Sequence, residues 1–137
     1  MAVFVLTNAS VKINNVDLSD HVSDVTVDMS AADIDVTAMG AGGHQRILGI
    51  RDDKFTLSMF SDFAAAKVDA TLQPLFAGGS LFLVQVWASG STSSATNPCY
   101  SGTAILTSYQ PIAGKVGDAS LTKLDMPVNG TISRATS

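Results

Sequence analysis

A mainly β single domain, a barrel or sandwich with one flanking α-helix, is the fold this chain predicts. Several stretches alternate apolar and polar residues with period two, as strands with one face on a core do. All twelve acidic residues are aspartate, a residue disfavoured inside helices and favoured at caps and turns. Only one stretch, near residues 64–76, carries helical spacing. The 137 residues make one domain, spanning 1–137, large enough to bury roughly two-thirds of the unfolded surface without metal or disulfide.

Val11-Lys12-Ile13 and Val16-Asp17-Leu18 flank Asn14-Asn15. Asparagine tolerates the positive φ of a two-residue turn, so a tight hairpin is expected there. Strands follow over Val22–Ser30 and Asp33–Met39, then a glycine-rich flexible loop from Gly40 ending near Gly49. Lys54–Phe60 alternates Phe55, Leu57 and Met59 with Thr56 and Ser58. The helix is expected from Ala64 to Phe76. Ser61 or Asp62 can cap it, Val68, Leu72, Leu75 and Phe76 form its stripe, and Pro74 should kink or tighten its last turn. Leu81–Ala88 is apolar on both faces, as a central or subunit-covered strand would be, and Ser89–Asn97 reads as an exposed loop. Strands over Cys99–Tyr109, Leu121–Val128 and Thr131–Arg134 bring the sum to about eight. Pro127 predicts an edge or bulge, and Asn129-Gly130 a turn.

Charge is sparse and uneven. Only 15% of residues are charged, the net charge is −4, and six of the twelve aspartates fall between Asp17 and Asp35 with no cation among them. Asp24 and Asp28 alternate with Val25 and Val27, and Asp33 and Asp35 with Ile34 and Val36. The pattern predicts a hairpin with one apolar and one acidic face. A solvated sheet face is the plainer reading of the same pattern. Such a surface does not bind phosphate, which needs clustered Lys and Arg. The apolar start is too short for a signal-peptide core and lacks a basic lead-in, and no run is long enough to span a membrane.

Nothing points to catalysis. Cys99 follows Asn97-Pro98 with no helix N-terminus to activate it, and His21 and His44 lack metal-ligand spacing. Asp52-Asp53 could offer two hard-cation ligands, but no calcium-loop pattern surrounds them. Neither an enzyme, a cofactor nor a metal is expected. Surface remains: Phe4 and Leu6 near the start, and Ile47, Leu48 and Ile50 after the glycines, are apolar residues on backbone expected to be mobile. In an assembly they make docking pieces.

Ala2–Val11, then Val16-Asp17-Leu18-Ser19-Asp20-His21-Val22, Thr37-Ala38-Met39-Gly40 with Arg46, and Asp62-Phe63-Ala64-Ala65 carry a resemblance. Lys67–Leu72, Asn97-Pro98 with Tyr100-Ser101-Gly102, and Ser108–Ile112 with Gly114–Asp118 continue it in order. By these collinear segments, over nearly its whole length, the chain resembles the tail tube (major tail) proteins of siphophages, nearest to those of phages infecting actinobacteria. The resemblance implies a tail-tube-like β fold and a structural virion protein with no catalytic residues. Six copies would form a ring, and stacked rings a hollow tube through which the genome is ejected. It further implies an N-terminal arm (about 1–10) and an inter-ring loop (about 39–50). Phe4, Leu6, Gly42, His44, Arg46, Ile47 and Leu48 are the candidate inter-ring contacts. The loop is less charged and richer in glycine than is expected of the family. Implied partners are other copies of the chain, a tape measure, a tail terminator and distal tail proteins. DNA would pass through without specific binding, and no membrane is involved. The implied location is the virion tail, after assembly in the host cytoplasm.

Within that frame Asp24, Asp28, Asp33 and Asp35 are the lumen-facing candidates. Screening confines their direct repulsion to about 8–10 Å, so an acidic bore acts mainly by denying phosphate any point of attachment. Two alternatives compete: the tube protein of a contractile tail or injection system, and a β-sandwich decoration or adhesion module.

Overall fold

The computed structural model describes residues 3, 5–65, 67–90 and 92–136. Strands β1 (Ser10–Ile13) and β2 (Val16–Asp17) form the expected hairpin, with Asn14 and Asn15 at φ 51° and 65°. A 3-10 turn, Ser19–His21, leads into β3 (Val22–Asp28), followed by β4 (Ala31–Asp35), β5 (Arg46–Arg51) and β6 (Lys54–Phe60). Helix α1 (Val68–Gly78) precedes β7 (Phe82–Trp87), β8 (Cys99–Ala104), β9 (Ser108–Ala113), β10 (Leu121–Pro127) and β11 (Ser133–Ala135).

Two antiparallel sheets face each other, in the orders β11-β8-β7-β1-β2 and β3-β6-β10-β9, and β4 with β5 makes a separate two-stranded sheet. Neither large sheet closes on itself, so the body is an open sandwich rather than a barrel. The interior follows from the alternation. Val11, Ile13, Val84 and Val86 come from one sheet, and Phe55, Leu57, Met59, Leu124 and Met126 from the other. α1 lays Val68 and Leu72 into the same core. Each such side chain contributes about 1.5–3 kcal/mol through burial. β7 is the central strand of its sheet, as its apolar composition predicts.

Four expectations are corrected. The stretches around Asp24–Asp28 and Asp33–Asp35 do not pair with each other. β3 pairs with β6, setting Val25 beside Leu57 and Val27 beside Phe55, while β4 pairs with β5. Phe55 and Leu57 of β6 are buried in the core, and Val25 and Val27 of β3 pack half-buried against it. The expected loop to Gly49 is the tip of a long hairpin whose return strand starts at Arg46. Cys99–Tyr109 divides into two strands in different sheets. The crossing runs through Leu106, with Ile105 and Thr107 donating to the carbonyls of Pro127 and Asp125 at 3.1 Å. Finally, α1 starts at Val68 rather than Ala64, with extended Lys67 as its N-cap. Asp62 Oδ1 instead accepts from Ala64 N at 2.9 Å, and Ser61 Oγ donates to Pro111 O at 3.0 Å. Both expected caps are engaged before the helix begins. Pro74 lies inside α1, which ends at Gly79 in the left-handed region (φ 62°).

Candidate functional site

The solvent face of the second large sheet is the first candidate surface. Cross-strand partners share a face, so the register places its residues in rows. Asp24, Ser58, Lys123 and Gln110 form one row, Thr26, Thr56, Asp125 and Ser108 the next, and Asp28, Lys54 and Pro127 a third. Alternation on β6 and β10 was readable, but only the pairing brings Lys54 and Lys123 onto the face that carries Asp24 and Asp28. The face is therefore mixed rather than purely acidic, with three carboxylates and two amines in those rows. Lys54 is the direct neighbour of Asp28. Toward one end the face turns apolar, with Phe60 beside Leu121.

Asp33 and Asp35 lie elsewhere, on the β4–β5 hairpin. Arg46 Nη1 donates to Asp33 Oδ2 at 3.0 Å, and His44 Nδ1 lies 2.9 Å from Asp35 Oδ2. Donation from Thr37's hydroxyl and backbone N–H, with His44 adding less, holds the Asp35 carboxyl below its ordinary value. Both pairs are exposed, lie within the hairpin and are screened by solvent.

One face of this hairpin is apolar and open, and the other mixes Leu48 and Ile50 with Asp33, Asp35 and Arg46. Ile34 and Ile47 are partners on one face, where Gly49 makes room: a Cβ there would stand 2.9 Å from Ile34 Cδ1. Leu48 and Ile50, 77% and 88% exposed, extend from the other. Gly42 is in the connecting tip with open space around it, and Met39 is fully exposed there. An isolated two-stranded sheet is marginal in water, and among the described residues β4–β5 pairs with no further strand.

The N-terminal segment is a third candidate surface. Val3, Val5 and Leu6 are exposed, and Asn8 bridges Ser89 in parallel. The groove between this segment and residues 88–97 measures about 520 Å³. Phe4, the other expected contact, lies outside the described residues.

The groups weighed for chemistry have structural partners. His21 sits between Asp20 and Asp62, at 2.7 Å from each. Burial opposes its charge, but the hydrogen bonds to Asp62 and Asp20 outweigh burial and raise its pKa above the ordinary value. Cys99 is buried, which pushes its thiol pKa up, away from a reactive thiolate. Asp52 is exposed, whereas Asp53 is wholly buried among protein donors. Sequence reasoning missed that role, since its donors are as far away as Ile132. Among the described residues there is no group of three or more His, Cys, Asp or Glu placed to hold a metal ion. No helix there is long and apolar enough to cross a membrane.

No family model matches the chain, and no curated protein matches it. Solved structures do. A chain in the tail of an empty gene transfer agent (GTA) particle, determined with C6 symmetry, superposes with TM-score 0.67 at 21% identity, over 85% of this chain and 83% of that one. The SPP1 tail tube gives 0.70 at 11% identity, over 93% and 77%. A chain of the sheath–tube complex of the PVC extracellular contractile injection system gives 0.70 at 10%, over 95% and 89%. The chain has the fold of tail tube proteins.

Proposed function

We propose that this chain is the subunit of a tail tube, closing into six-membered rings that stack into a hollow conduit for DNA. One observation carries the reading: the sheet β3-β6-β10-β9 has an unpaired strand at each edge. All its pairings are antiparallel, so β3 and β9 run in opposite directions. Copies set side by side can therefore continue one antiparallel ladder from β9 of one subunit to β3 of the next. This is a head-to-tail contact, which generates rings. At about 4.8 Å per strand, six such sheets have a circumference of about 115 Å, or a backbone diameter of roughly 37 Å. Strand tilt widens it further.

In this arrangement the mixed polar rows line the bore. Asp24 and Asp28 face the lumen with Lys54 and Lys123 among them. Each amine has a carboxylate on its own or a neighbouring strand, so travelling phosphates meet no cluster of free cations. Asp33 and Asp35 belong to the hairpin, which together with Leu6 and the rest of the N-terminal segment joins one ring to the next. Gly42, His44, Arg46, Ile47 and Leu48 carry that contact. Its partner is another copy of the chain, which would cover the exposed apolar residues of both faces.

The same reading places the protein in a virion tail assembled in the host cytoplasm, alongside a tape measure, a terminator and distal tail proteins. The non-contractile, siphophage-type tail is favoured over the contractile one by the solvent face of the five-stranded sheet. Gln85, Ser101, Thr103 and Ser133 lie on it with Leu83, and its Lys12 lies over Trp87 with the amine 5.7 Å from the ring centre. A sheath would find few charges there to dock on.

Negative-stain microscopy of the purified chain at high concentration tests the reading. Rings or tubes with a central channel are expected. Discrete monomers at all concentrations would return the chain to the decoration or adhesion alternative.

A further inference from the structure

We infer that Asp53 is the positioning residue that fixes the direction in which the β4–β5 hairpin leaves the body, and with it the alignment of one ring on the next. The inference rests on the reading of the hairpin as the joint between rings. Among the described residues the hairpin strands pair only with each other, so the hairpin's direction is set where it joins the sandwich. Its first strand follows Ser30 and its last residue is Arg51. Both of these residues donate to one carboxylate. Ser30 N reaches Asp53 Oδ1 at 3.3 Å, and Arg51 Nη2 reaches Oδ2 at 2.6 Å.

The third donor comes from the far side of the fold. Ile132 N, just before β11 in the five-stranded sheet, donates to Asp53 Oδ2 at 2.8 Å. The Asp53 backbone carbonyl accepts from Val128 N at 2.9 Å. Ser30 and Asp52 add a reciprocal pair: Asp52 N donates to Ser30 O at 2.8 Å, and Ser30 Oγ to Asp52 O at 2.7 Å. One side chain therefore ties both legs of the hairpin to each other and to the opposite sheet.

Asp53 is 0% exposed. A buried carboxylate is tolerated only when its lone pairs are filled by well-placed donors. That requirement makes the junction stiff: tilting the hairpin would pull Ser30 or Arg51 away and leave a bare charge in the interior. Surface ion pairs such as Arg46–Asp33 impose no such demand. Asparagine at position 53 keeps the shape but turns one acceptor into a donor facing an N–H or the guanidinium. At least one tie to the hairpin or to Ile132 is then lost in either orientation.

The test compares wild type, Asp53→Asn and Arg51→Gln by amide exchange on unassembled subunits, and by helical reconstruction of tubes. In Asp53→Asn, exchange at residues 31–35 and 46–51 should accelerate at least tenfold while β6 and β7 exchange as in wild type. Tubes should either fail to extend or show an altered twist between rings. Arg51→Gln, which leaves two of the three donors, should accelerate hairpin exchange by a smaller factor, about threefold. It keeps the question answerable if Asp53→Asn does not fold. Wild-type hairpin exchange in the variant that folds would overturn the inference. So would unchanged twist in its tubes. A variant with the hairpin tip, residues 36–45, replaced by two glycines separates the two levels. Tubes of normal length from it would end the inter-ring reading of the hairpin, whereas the exchange data would still decide whether Asp53 stiffens it.

Discussion

His21 and Asp62, forty-one positions apart, meet at 2.7 Å. The imidazole joins the turn before β3 to the segment that leads into α1. Asp20 holds its other ring nitrogen, also at 2.7 Å. Asp62 is drawn below its ordinary value, first by donation from Ala64 N and then by His21. The contribution of His21, whose folded pKa lies above its ordinary 6.5, is complete below pH about 6.5 and is lost as pH rises through the folded value. That of Asp62 is present above its ordinary 3.8 and is lost as pH falls through its lowered folded value. The melting temperature of the unassembled subunit should therefore decline as pH rises above about 6.5 in wild type and less so in His21→Gln. Parallel profiles would show that the pair contributes nothing.

The polar face predicts an effect on transport rather than on folding. Asp24→Lys with Asp28→Lys leaves the rows of Lys54 and Lys123 without their neighbouring carboxylates, and repeats a basic patch around every ring. Subunits should fold and assemble, while duplex DNA should bind the tubes with a strong salt dependence and ejection should slow. Asp35→Lys, on the hairpin, should leave ejection alone. Unchanged ejection in the double variant would take these strands out of the bore.

Leu48→Asp with Ile50→Asp places charges on one open face of the hairpin. Stacking should weaken by tenfold or more in critical concentration, with the circular dichroism of the subunit unchanged. Deleting residues 41–45 should act in the same direction, and full-length tubes from either variant would exclude the hairpin as the connector.

Leu72→Ala removes the α1 side chain that enters the core. A loss of about 2–5 kcal/mol is expected for such a truncation. Chemical denaturation of the monomeric subunit measures it. A loss below about 1 kcal/mol would mean that α1 packs more loosely than the burial of Leu72 implies.

Local chemistry was legible, but distant pairing was not. Asn14-Asn15 foretold the β1–β2 turn because its φ preference acts within two residues. The alternation of Phe55, Leu57 and Met59 likewise foretold the inward face of β6. β3 was assigned to the wrong partner because neighbours in sequence are usually neighbours in a sheet, and nothing within residues 22–35 reveals that Val25 and Val27 lie beside β6. The same limit hid Lys54 and Lys123 on the polar face. Asp53 was weighed only as a possible cation ligand beside Asp52, since the donors that hold it include Ile132 seventy-nine positions away. The helix start moved because Ser61 and Asp62 found partners that competed with capping.

The four-strand width of the sheet β3-β6-β10-β9 bears on calibre. An even number preserves alternating strand direction for any count of copies, so hydrogen bonding alone does not choose between a narrow conduit and a wide one. That choice falls to bending. The sheet has register irregularities between Val22 and Asp24 and between Leu121 and Lys123, and such bulges bend the strands that carry them. Insertions or deletions at these two places should alter the gauge of the conduit while its walls stay continuous.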